Sequence, residues 1–156
     1  MLAATSGLVG CDVATKRLAQ ARYADGSRDQ VVAGLLDLRY VENRDVAFRV
    51  LRWIPADIRL PLVLTVVGAS IVGLTVLLVL LRGATLTERA ALVLILAGAM
   101  GNFIDRAFLG YVIDFINFDF WPTFNLADVY IDVGVVALLI WGRRLLLGRP
   151  QEQEAG

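Results

Sequence analysis

Residues 98–132, GAMGNFIDRAFLGYVIDFINFDFWPTFNLADVYID, set Asp105, Asp114, Asp119, Asp128 and Asp132, several asparagines and Arg106 inside otherwise membrane-grade sequence. Charge is expensive there: an ionisable side chain near the bilayer centre costs about 2.5–3.5 kcal/mol on insertion scales. A cluster of such groups therefore points to a site that faces the protein interior or the membrane interface, with the rest of the chain as its support.

The composition supports a membrane reading. Hydrophobic residues make up 58% of the 156, and the mean hydropathy is +0.67, above the roughly one-half apolar content of soluble domains. The length suits one domain. A formal net charge of zero provides no basic field, so nucleic acid is not an expected partner. With no histidine and a single cysteine, Ser-His and Cys-His catalysis, imidazole metal sites and an internal disulfide are all excluded. Any chemistry must rest on carboxylates; no cofactor and no metal is expected.

Working outward, the expected fold is an α-helical integral membrane protein with four transmembrane helices and a small extracytoplasmic β-rich section. It forms one domain over 1–150, followed by a disordered polar tail over 151–156. Leu60–Leu81 is the clearest span, with no charge in 22 residues, about 33 Å of helix. A third helix runs from about Thr87 through Met100 to Asp105 or beyond, and a fourth from about Leu126 to Leu147. Arg82 and Arg89, with Arg143, Arg144 and Arg149, assign one face to the cytoplasm by the positive-inside rule. The arginine-rich section from Lys16 to Arg59 would then lie outside, against that rule.

The first helix runs from the N-terminus through Ala21. Leu8-Val9-Gly10-Cys11 has the form of a lipid-attachment box, but no Lys or Arg precedes it, as a secretory signal requires. Asp12 and Lys16, four apart, share a helix face and can pair. Only eleven residues precede Asp12, about 16 Å against a core of about 30 Å, so this helix reads as short. Arg22–Gln30 is turn-like, Val31–Val41 favours one or two strands, and Glu42-Asn43-Arg44-Asp45 signals another turn. The competing reading of this section is a solvated loop. Tyr111–Phe118 reads as an aromatic interfacial stretch. Asn125 suits an N-cap, and Asp128 would lie in the first turn of the last helix, where the dipole favours negative charge; capping alone could explain it.

Asp114 and Asp128, read as lying at helix ends on one membrane face, suggest a dyad. At about 4 Å their repulsion would be about 4 kcal/mol at an effective dielectric of 20, about three pKa units. One would then keep a proton near neutrality while the other activates water.

Together these blocks resemble the lipoprotein signal peptidase (signal peptidase II) family. They are Asp12-x-x-Thr15-Lys16; Asn43 with Ala47-Phe48; Gly101-Asn102-x-x-Asp105-Arg106; Gly110-x-Val112-x-Asp114-Phe115; and Phe124-Asn125-Leu126-Ala127-Asp128 with Ile131 and Gly134. The resemblance implies a bacterial inner-membrane, multi-pass aspartic endopeptidase with its active site near the extracytoplasmic face; separately, the chain is expected to be a monomer. Its partners would be prolipoproteins, cut before their lipid-modified cysteine, and membrane lipid. By position, Asp114 and Asp128 would be catalytic. Asp12, Lys16, Asn43, Asn102, Arg106 and Asn125 would shape the site or hold the substrate backbone, while Asp105 would orient Arg106. The chain departs from the family pattern at Arg44-Asp45-Val46, which is charged and bulky where a small turn is usual. It departs again at Asp132, a third carboxylate one turn after Asp128. Two other classes differ in what they need: a non-catalytic relative would tolerate loss of either aspartate, whereas a small transporter would spread its charges through the bilayer.

Overall fold

The structure, a computed structural model, describes residues 1–44, 53–81 and 83–142. Asp45, Val46, Ala47, Phe48, Arg82, the C-terminal arginines and the 151–156 tail fall outside the described residues. Four helices and four strands follow in the order α1 (Leu2–Tyr23), β1 (Arg28–Val32), β2 (Leu36–Asn43), α2 (Ala56–Leu80), α3 (Leu86–Leu109), β3 (Val112–Phe118), β4 (Trp121–Phe124) and α4 (Leu126–Trp141). The protein is thus mostly helical, with one small antiparallel sheet in the order β1-β2-β3-β4.

Among the described residues, two helices, α2 and α3, are long and apolar enough to cross a membrane. The others differ for local reasons. Asp12, Lys16 and Arg17 interrupt α1, and α4 is described over 16 residues. Capping boxes open the two helices that flank the site. Thr85 and Glu88 bond reciprocally at the start of α3, and Asn125 and Asp128 do so at the start of α4, satisfying backbone N–H groups that the helix leaves free. Gly110, at φ 80, closes α3 in the left-handed region, where a side chain would be strained. That turn feeds β3 directly.

Helix α3 is the central post, packed against α1, α2 and α4. Its contact with α4 depends on missing side chains. A Cβ at Gly98 would run into the Ala127 carbonyl and come within 2.7 Å of Ile131, and one at Gly134 would come within 2.7 Å of the Ala91 carbonyl. Small residues let helix backbones approach where lipid provides no hydrophobic drive between them.

The strands correct several sequence expectations. β1 begins at Arg28, inside the turn-like stretch, and β2 continues through Asn43, where a turn was expected. The one or two strands expected over Val31–Val41 are present as parts of a paired β1 and β2, and the competing solvated-loop reading fails there. The aromatic stretch after Gly110 is β3, with Val41 opposite Asp114 and Asn43 opposite Val112. Asp114 therefore stands on a strand rather than at a helix end. Ladder pairing overrode the local pattern, because β2 provided backbone partners that no periodicity within 111–118 announces.

Candidate active site

The site is assembled where β2, β3 and the first turn of α4 meet α3. On β2, Asn43 Nδ2 donates to Asp114 Oδ2 at 2.8 Å. From the other side, Asn125 Nδ2 donates to Asp114 Oδ1 at 2.7 Å. Asp128 is held in a matching way: Asn102 Nδ2 donates to Oδ1 at 2.8 Å and the Asn125 backbone N–H to Oδ2 at 3.2 Å. Each aspartate thus faces two N–H donors, and Asn125 touches both. Its own Oδ1 accepts the Asp128 N–H at 3.1 Å. Capping accounts for one oxygen of Asp128 and leaves its bond from Asn102 to be explained.

Asp114 is 1% exposed. Burial pushes its carboxyl up to about 6 against the bonds from Asn43 and Asn125, and the nearby charge of Asp128 adds to the rise. Desolvation disfavours the charged form, and a like charge does the same.

Both aspartates line a pocket of about 940 Å³ with Asn43, Arg106, Asp132, Glu42 and Arg44. Its apolar wall is Val41, Trp121, Pro122, Phe124 and Ile131. Arg106 donates to the Asn102 carbonyl at 3.2 Å, and its charge interacts with Asp128 and Asp114. The β4 wall was missed at the sequence level. Trp-Pro between aromatic residues was its one local signal, and only pairing with β3 turns it toward the site.

The remaining sequence candidates stand behind the wall. Asp12 is 0% and Lys16 1% exposed, and neither lines the pocket. Lys16 Nζ pairs with Asp12 at 2.8 Å and with Asp105 at 3.0 Å, and it donates to Asn102 Oδ1 at 3.1 Å. Asp12 Oδ1 accepts the Ala127 N–H at the start of α4, through the slot left by Gly101, where a Cβ would strike the Asp12 carboxylate. Asp105 Oδ2 accepts the Ile113 N–H at 3.2 Å, next to Asp114. Lys16 and the Ile113 backbone are hydrogen-bond and ion-pair partners of Asp105, whose charge also acts on Arg106.

A second polar cluster was not foreseen. Arg39 grips Asp37 through two bonds of 2.7 Å, which holds the Asp37 carboxyl below its usual range. Asn117 joins at 3.4 Å and is itself bonded by Thr123 of β4. This cluster ties β2, β3 and β4 together away from the aspartates.

The family model described as signal peptidase (SPase) II matches residues 4–143. Lipoprotein signal peptidase of Francisella tularensis subsp. novicida is 35% identical over 139 residues, 85% of this chain and 84% of that one. The protein of the same name from Clostridioides difficile is 34% identical over 139 residues, covering 86% and 88%. In fold, the chain resembles two solved structures of a bacterial membrane enzyme, each at a TM-score of 0.78. They are 23% and 24% identical, with 97% and 96% of this chain and 92% and 93% of theirs aligned. With most of its length matched by that family model, and with relatives identical at a third of their positions, this chain belongs to the signal peptidase II family.

Proposed function

We propose that this protein is an aspartic endopeptidase of the bacterial inner membrane, crossing it four times, that removes the signal peptide of prolipoproteins just before their diacylglyceryl-modified cysteine. The observation that carries the reading is that Asp114 and Asp128 line one pocket, each accepting two N–H donors. Asp128 takes the proton of a bound water as that water attacks the scissile carbonyl. Asp114, whose carboxyl is pushed up to about 6 by burial, gives its proton to the carbonyl oxygen; the tetrahedral diol then collapses, its C–N bond breaking as Asp128 passes the water's proton to the leaving amine and Asp114 takes a hydroxyl proton back. Arg106 retains donors for a substrate carbonyl, and the wall of Trp121, Pro122, Phe124 and Ile131 suits the apolar flank of a signal peptide or its acyl chains.

The test is cleavage of a lipid-modified prolipoprotein in a strain lacking its own peptidase. This chain is compared with Asp114→Asn and Asp128→Asn at matched expression. We expect cleavage by the unaltered chain and a loss of about 10³-fold for each variant, the range set by removing a general acid or base. Undiminished cleavage by either variant would remove that residue from the chemistry. No cleavage by the inserted, unaltered chain would leave a protein that binds lipoproteins without cutting them.

A further inference from the structure

Lys16 carries an ammonium in a place where it reaches neither solvent nor the pocket. An ammonium has three N–H donors and no acceptor, and here it lies in ion-pair reach of Asp12 Oδ2 and Asp105 Oδ2 and donates a hydrogen bond to Asn102 Oδ1. The last bond has a directional consequence. An asparagine amide can sit in either of two flipped orientations, and its neighbours decide between them. With Lys16 Nζ at 3.1 Å, Asn102 must turn its oxygen inward; the flipped amide would set NH2 against an ammonium. Its NH2 is thereby aimed at Asp128 Oδ1, 2.8 Å away. The same Asn102 oxygen accepts from Asn125 Nδ2 at 3.1 Å, which turns that NH2 toward Asp114 and leaves the Asn125 oxygen for the Asp128 N–H.

We propose that Lys16 is a positioning residue for the peptidase reaction. As a donor-only root of the network, it sets the amide orientation of Asn102 and, through it, of Asn125, so that both aspartates meet N–H donors. The bonds of its two acidic partners to the Ala127 and Ile113 N–H groups hold the backbone next to Asp128 and Asp114 in the same unit. Lys16 touches no substrate. This role rests on the peptidase reading above for its kinetic consequence and on geometry alone for its spectroscopic one.

The experiment uses the full chain in detergent micelles with nitrogen-15 labelled asparagine, and the triple variant Lys16→Met, Asp12→Asn, Asp105→Asn, in which these three positions carry no formal charge. That variant removes the cation without leaving buried carboxylates unpaired. The wild type should show one slowly exchanging pair of side-chain NH2 signals each for Asn102 and Asn125. The variant should show doubled Asn102 signals, and kcat reduced by about 10²-fold, the effect of a misplacement of about 1 Å, while KM changes less than twofold. Single signals and an unchanged kcat in the folded variant would overturn the proposal. Should the variant not fold, the wild-type spectrum decides, since two Asn102 amide populations there would overturn it and one supports it. If the wild type cuts no prolipoprotein, the peptidase reading fails, and the NH2 signals still report on Lys16 separately.

Discussion

Helices α2 and α3 begin from the same prescription, a 24-residue stretch with an apolar window long enough to span a membrane, and end with opposite surroundings. In α2 the mean hydropathy reaches 2.6 and 6% of the most apolar stretch is buried within the protein; in α3 the values are 1.6 and 44%. Val66, Val72, Val76, Val79 and Leu80 of α2 point outward, while α3 turns Asn102 and Asp105 inward. Lower hydropathy here marks the helix that is more enclosed. A helix facing lipid must be apolar, whereas one enclosed by other helices can carry polar groups if each finds a partner. Hydropathy therefore finds a span, and the polar residues that lower it find the site.

That contrast can be broken most severely at the α3–α4 contact. Gly98→Ala forces a Cβ against the Ala127 carbonyl, and we expect about 1–3 kcal/mol of destabilisation from overpacking, with reduced cleavage because Asp128 is the next residue. Unfolding in mixed micelles, read beside activity, checks both. Unchanged stability would mean that α3 is no more tightly enclosed than α2.

A comparable effect is expected from the charge state of Asp114. Its folded carboxyl is raised to about 6 from 3.8, so between these pH values the folded state binds more protons than the unfolded one. Stability from this group is full below about pH 4 and falls as pH rises through 6. Relative to Asp114→Asn, the wild type should lose roughly 1–3 kcal/mol between pH 4 and pH 7. Paired unfolding curves at the two pH values test the sign. A wild type that gains stability over that interval would mean that the bonds from Asn43 and Asn125 outweigh burial and hold the carboxyl below its ordinary value.

Smaller effects sharpen the same comparison. Thr85→Ala removes the side-chain half of the capping box on α3 and should cost about 1 kcal/mol. Helix α2 starts at Pro55 with no side-chain cap and offers nothing equivalent to delete. Smallest of all is Gly73→Ala in α2, where the added Cβ meets nothing within 4 Å. We expect a change within about 0.5 kcal/mol, in contrast to Gly98. A large loss at Gly73 would reveal a partner for the α2 face.

Much of this protein was legible in its residues alone. The helices, the Asn125 cap, the Asp12–Lys16 pair and the family all follow from local spacing, apolar length and ordered motifs, which are properties a short window of chain carries by itself. The strand nature of 112–118, the Trp121–Phe124 wall and the real partners of Asp105 were not legible. Each depends on residues distant in sequence: β2 supplies the ladder for β3, and Lys16 reaches Asp105 and Asn102 from another helix. Sequence determined which groups are too polar to face lipid, because transfer cost is a property of the side chain. Tertiary structure decided which of them line the pocket and which stand behind it, because hydrogen bonds and enclosure depend on what the fold brings within about 3 Å.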